Sequence, residues 1–121
     1  MAVRAVRGAI TVPENTKEAI LNGTRELLLE IVERNNIETS DFISIIFTLT
    51  SDLDAVFPAV AAREIGLQEV PLMCSSEINV PGSLRSCVRI LAHFNTDKGN
   101  KDISHVYLKG ATVLRPDLAD K

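Results

Sequence analysis

The chain has 121 residues, enough for one domain with a real core but with most of its surface left exposed, so that a deep pocket would come naturally from oligomerisation. Thirteen basic against sixteen acidic side chains give a net charge of −3, and only 4% of residues are aromatic, which argues against a general nucleic-acid binder and requires any anion site to be a local arginine cluster. Cys74 and Cys87 have no CxxC spacing and form no zinc pattern with His93 and His105, and no apolar run approaches membrane-spanning length or makes a secretion signal of residues 1–7. Reduced thiols in a soluble, cytoplasmic chain are the expectation.

Residues 3–12 read as a first strand, with Val6, Ile10 and Val12 on one side and Val3, Ala5, Arg7 and Thr11 on the other. Arg4 and Arg7 therefore face opposite ways, and Gly8 permits close backbone approach. Asn15 with Glu18 three residues on resembles a capping box, and Ile20, Thr24, Leu27, Leu28, Ile31 and Val32 follow at helical spacing to a stop near Asn35-Asn36. The helix charges, from Lys17 to Arg34, are a solvated face. Residues 42–50 are the most apolar run, alternating Ile43, Ile45, Phe47 and Leu49 against Phe42, Ser44, Ile46, Thr48 and Thr50, and predict a central strand. Strand, helix, strand in that order suggests a right-handed parallel crossover.

Pro58 suits the first turn of a short helix over 59–65, stopped by Gly66. Phe57 and Arg63 can line a pocket rim, although spacing alone favours a plain core role for Phe57. An extended stretch over 70–82 puts Cys74 and Glu77 on opposite faces, since their spacing is odd. In the strand that follows, 86–94, Val88, Ile90, Ala92 and Phe94 share one face and Cys87, Arg89, Leu91 and His93 the other. Arg89 sits mid-strand, back to back with a core, and its guanidinium must lie in water, pair with a carboxylate or meet an anion. After a polar loop, 103–108 makes a last main strand with His105, Tyr107 and Lys109 on one face. Tyr107 either donates its hydroxyl or buries its ring with the oxygen at the surface.

No phosphate loop, GxGxxG, nucleophile elbow or Ser–His motif is present. What remains is Arg7, Arg63, Arg89 and Arg115 with one acid, Glu77, one thiol, Cys74, and one phenol, Tyr107, a set suited to a small polycarboxylate carrying a hydroxyl. Arg7-Gly8-Ala9 with Thr11-Val12, Asp52-Leu53-Asp54-Ala55-Val56-Phe57-Pro58-Ala59 with Arg63-Glu64, Val70-Pro71-Leu72-Met73-Cys74 with Glu77, Cys87-Val88-Arg89, His105-Val106-Tyr107-Leu108 and Leu114-Arg115-Pro116-Asp117-Leu118 together resemble the small monofunctional chorismate mutases of the trimeric α/β type. The blocks run in the same order across nearly the whole chain.

The resemblance implies an α+β fold, a five-stranded mixed sheet with two helices, in a single domain over 1–121 whose residues 115–121 form a mobile tail, assembled as a trimeric pseudo α/β-barrel. It implies the isomerisation of chorismate to prephenate in aromatic amino-acid biosynthesis, with no cofactor or metal and with active sites between subunits of a homotrimer. Arg89, Glu77 and Arg7 would be catalytic: Arg89 donates to the ether oxygen, Arg7 and Tyr107 hold a carboxylate, and Glu77 and Cys74 engage the ring hydroxyl. Phe57 would pack against the ring, and Arg63, Leu114 and Arg115 would lie at the mouth. Arg7, Glu77, Arg89 and Tyr107 are expected from one subunit and Phe57, Arg63 and Cys74 from its neighbour. Val60 stands where the family often has lysine, Ile10 replaces a threonine, and Ser75-Ser76 replace bulkier residues; these departures bear on affinity more than on reaction type. The rival readings are a non-enzymatic or imine-hydrolysing trimer of similar shape, and an RNA-binding ferredoxin-like domain, for which the chain lacks exposed strand aromatics and a basic sheet face.

Overall fold

Strand β1 (Ala2–Thr11) sets the pattern for the molecule: Val6, Gly8 and Ile10 are buried on its core face, and Arg7 projects from the other. The computed structural model describes residues 1–119. Helix α1 (Lys17–Asn35) packs on that core face through Ile20, Leu27, Leu28 and Ile31, all fully buried. The approach is close at Gly8, where a methyl group would stand 2.8 Å from Ile31 Cδ1 and 3.1 Å from the Val106 carbonyl oxygen. Thr16, not Asn15, caps the helix, its Oγ1 accepting the Ala19 N–H at 3.1 Å. Asn15 instead accepts the N–H groups of Asp54 and Ala55 and donates to Asp54 Oδ1, holding a whole polar turn rather than one helix-end amide. Asn36 ends α1 in the left-handed region, at φ 52°.

Strand β2 (Phe42–Leu49) begins with a bulge: Phe42 pairs with Phe94 but Ser44 pairs with His93, leaving Ile43 as the extra residue. Strict alternation placed Phe42 with Ser44; the bulge shifts it to the core face, where it is buried, while Ile43 is exposed. Helix α2 (Ala59–Glu64) follows Pro58 and is closed by Gly66 at φ 104°. Strand β3 (Leu72–Ser76) occupies part of the stretch expected to be extended. Strand β4 (Cys87–Thr96) buries Val88, Ile90, Ala92 and Phe94 on the core face, as alternation requires.

The last strand, β5 (Val106–Leu108), is shorter than the expected 103–108. Before it, the Ser104 backbone is tied to the buried Asn35 side chain at the end of α1, and after it Lys109, at φ 53°, turns the chain into a 3-10 segment (Lys109–Leu114). Lys109 consequently does not share a face with His105 and Tyr107; it pairs with Glu26 of α1 at 3.3 Å. A single helical turn, α3 (Pro116–Ala119), is additional to the two helices that the pattern predicts. Residues 120 and 121 of the expected tail lie outside the described residues.

The sheet has five strands in the order β3-β2-β4-β1-β5. Central β4 is antiparallel to both β1 and β2, so those two run parallel with β4 inserted between them, while β3 and β5 add parallel pairs at the edges. The sheet is therefore mixed, in an α+β fold. One face carries the main core around Phe47, Phe94, Ile45 and Ile90 under the helices. On the other, a smaller cluster of Ala9, Cys87, Tyr107 and Ala111 is joined by Leu84 and Leu114.

Candidate active site

The face opposite the helices carries a cavity of about 440 Å³ beside the small cluster, lined by Arg7, Gly8, Ile46, Thr48, Glu77, Arg89, Ile90, Leu91, Tyr107, Leu114 and Arg115. Of the residues singled out in the sequence, Arg7, Glu77, Arg89, Tyr107, Leu114 and Arg115 are brought together there. Phe57, Arg63 and Cys74 do not line it. Phe57 is 70% exposed, which corrects the spacing-based reading of a core anchor; it lies between the bend at 55–56 and Pro58, outside any helical stripe. Arg63 is exposed on α2, and Cys74 packs against the main core from β3, on the side of that strand away from Glu77.

Each lining group is placed by the ladder around it. Arg89 stands on the central strand with Ala9 opposite it on β1 and Thr48 opposite it on β2. The small and medium neighbours leave its guanidinium room to rise off the sheet, and its side chain is 45% exposed. Glu77 follows β3, but its N–H donates to the Leu49 carbonyl at 2.8 Å and so extends the β2–β3 ladder by one bond. That bond carries the carboxylate to 3.6 Å from Arg89 Nε. The Thr48 hydroxyl donates to Glu77 Oε2. Thr48 was not among the residues singled out for chemistry; its signal was a hydroxyl in the most apolar strand of the chain. Ile46 and Leu91 provide an apolar wall and were placed only by face.

Tyr107 lies opposite Ala9 and buries its ring with Cys87 and Ala111, leaving 7% of the residue accessible. Cys87 is fully buried, and desolvation pushes its thiol pKa up despite the nearby Arg89, so it is no nucleophile. The Arg7 N–H donates to His105 Nδ1 at 3.0 Å. Burial, and then the charges of Arg7 and Arg115, hold the His105 pKa below its ordinary value of 6.5. Arg115 is paired with Asp117 at 3.0 Å.

Three arginines and one carboxylate thus line a cavity that also has an apolar wall, so its field favours a dianion while Glu77 can accept from a hydroxyl. Among the described residues, no group of three or more His, Cys, Asp or Glu side chains is arranged to hold a metal ion, and no helix is long and apolar enough to cross a membrane.

Comparison with known proteins gives a consistent result. The family model described as chorismate mutase type I matches residues 3–118. The chain is similar to the chorismate mutase AroH of Thermus thermophilus, 52% identical over 117 residues that cover 96% of each chain. It is also similar to the chorismate mutase AroH of Bacillus subtilis, 44% identical over 120 residues that cover 98% of this chain and 94% of that one. A solved chorismate mutase from Clostridium thermocellum superposes with a TM-score of 0.90 at 56% identity, covering 91% of this chain and 98% of the other.

Proposed function

The chain belongs to the type I chorismate mutase family, and on that premise we propose that its cavity binds chorismate and carries it to prephenate by the arrangement of Arg7, Glu77, Arg89 and Tyr107. The observation that carries this reading is the convergence of those four side chains, from four separate stretches of sequence, on one cavity. The reaction is a unimolecular Claisen rearrangement. It needs no general base and no nucleophile, only selection of the diaxial, chair-like conformer and stabilisation of the charge that separates.

Arg89 donates to the ether oxygen as the C–O bond breaks and that oxygen gains negative charge, a role of the oxyanion-hole kind that contributes about 3–4 kcal/mol. Arg7 and Tyr107 hold a carboxylate of the substrate. Glu77 accepts from the ring hydroxyl, oriented for this by Thr48, and balances the cavity's excess of positive charge. Ile46 and Leu91 shape the apolar side, and Leu114 and Arg115 stand at the mouth.

The remaining wall comes, in this reading, from a second copy in a homotrimer that supplies Phe57, Arg63 and Cys74. The exposure of Phe57, Met73, Ile78 and Val80, large apolar side chains in and around β3 and α2, supports such an interface. Val60 leaves that wall without the cation often found there. The free cysteines suit the cytoplasm.

The test is the loss of chorismate absorbance with purified protein and identification of the product as prephenate. No turnover would leave a non-enzymatic binder of small carboxylates. Subunit sharing is tested by refolding Arg89→Ala together with Phe57→Ala chains. Recovery of activity in the mixture, with neither variant active alone, is expected; sites contained in one chain would give no recovery.

A further inference from the structure

Arg7 makes two demands at once: its side chain faces the cavity, and its backbone N–H needs an acceptor. The N–H points away from β4, toward β5. That strand begins only at Val106, which pairs with Gly8, so the regular ladder ends one residue short of Arg7. The Nδ1 of His105, the residue immediately before β5, accepts the bond at 3.0 Å. A nitrogen that accepts carries no proton, so the half-buried ring is neutral with its hydrogen on Nε2. On the helix side the next residue, Gly8, is already clamped, with no room for a methyl group between it and Ile31.

We propose that His105 is a positioning residue for substrate binding: its imidazole stands in for the missing ladder carbonyl and fixes the backbone of Arg7, and thereby the direction of the Arg7 guanidinium. The proposal rests on the assignment of Arg7 to a substrate carboxylate. It carries a consequence for pH. Protonation removes the acceptor, sets a donor against a donor, and adds a cation beside Arg7 of β1 and Arg115 after the 3-10 segment, the charged groups that face the ring. Arg115 itself is held by Asp117.

The experiment compares the parent with His105→Leu, which keeps bulk and loses the acceptor, and His105→Asn, whose Oδ1 falls near the position of Nδ1. In the unliganded full chain, hydrogen exchange at the Arg7 amide should accelerate roughly tenfold in His105→Leu and stay near the parent rate in His105→Asn. In turnover, His105→Leu should raise KM for chorismate by a similar factor with kcat little changed, and His105→Asn should restore it. The parent's kcat/KM should fall as pH is lowered below 6.5, and that fall should be absent from His105→Asn.

Equal effects of leucine and asparagine, or an unchanged KM in the leucine variant, would overturn the proposal. If the leucine variant does not fold, the parent and asparagine pH profiles decide: the same acid limb in both, or none in the parent, refutes it. Arg7→Ala is the control for the underlying assignment. An unmoved KM there overturns the role of Arg7 itself, whereas a raised KM in Arg7→Ala with none in His105→Leu overturns only the role of His105.

Discussion

Arg89 separates stability from catalysis cleanly enough for one substitution to test both. Its side chain is 45% exposed on the open face of β4, and its contact with Glu77, at 3.6 Å, is Coulombic and longer than a hydrogen bond. A partly exposed pair of this kind contributes about 0–1 kcal/mol to folding, and truncation to alanine opens no core cavity because Val88 and Ile90 on the buried face are untouched. The catalytic loss expected from its proposed role is larger. A preorganised donor at a developing oxyanion supplies about 3–4 kcal/mol, so Arg89→Ala should lower kcat by roughly 10²–10³-fold. KM should change little, because the charge on the ether oxygen develops after binding. Arg89→Lys keeps the charge but offers a point donor in place of a planar fork, and should remain within about tenfold of alanine. Chorismate loss under saturating conditions, thermal unfolding and light scattering on the same preparations give the three readouts. A kcat within a few-fold of the parent in Arg89→Ala would refute the assignment, as would an activity loss accompanied by a change of assembly state or a large fall in unfolding temperature.

Thr48→Val preserves shape and deletes the hydroxyl that donates to Glu77; steady-state kinetics should show about a tenfold lower kcat/KM, the scale of a hydrogen bond to a charged group, with unfolding unchanged. Gly8→Ala forces a methyl against Ile31 and the Val106 carbonyl, and chemical denaturation should reveal a destabilisation of about 1–3 kcal/mol. Asp52 holds Ser86 at φ 54° just before β4 through bonds of 2.9 Å from its N–H and 3.0 Å from its hydroxyl. Desolvation raises the Asp52 pKa, but the Thr50 and Ser86 hydroxyls and nearby backbone amides outweigh it and hold the pKa below 3.8. The stability this contributes is complete above 3.8 and is lost as pH falls through the lower folded value, so the urea midpoint should drop less steeply in acid for Asp52→Asn than for the parent.

The faces of the strands were legible because alternation is a local property. Arg89 over a buried Val88 and Ile90, and the opposed directions of Cys74 and Glu77, needed only a period of two. Phe42 was misplaced because one extra residue, Ile43, reverses the parity of everything before it, and nothing in the side chains marks the bulge. Asn15 was assigned to a helix end because its neighbours in sequence suited that use, yet its partners are 39 and 40 residues away. The same limit governs the cavity. Thr48 acquires a role only from the register that sets it opposite Arg89 and beside Glu77, and His105 from meeting an amide 98 residues distant. Composition and spacing supply candidates for such a site but no register between strands. The ordered blocks shared with the chorismate mutases single out Arg7, Glu77, Arg89 and Tyr107, which the folded chain brings to one cavity. They pass over Thr48, and they include His105 without giving it a part; there only the hydrogen bonds of the folded chain, from Thr48 to Glu77 and from the Arg7 amide to His105, show what each touches.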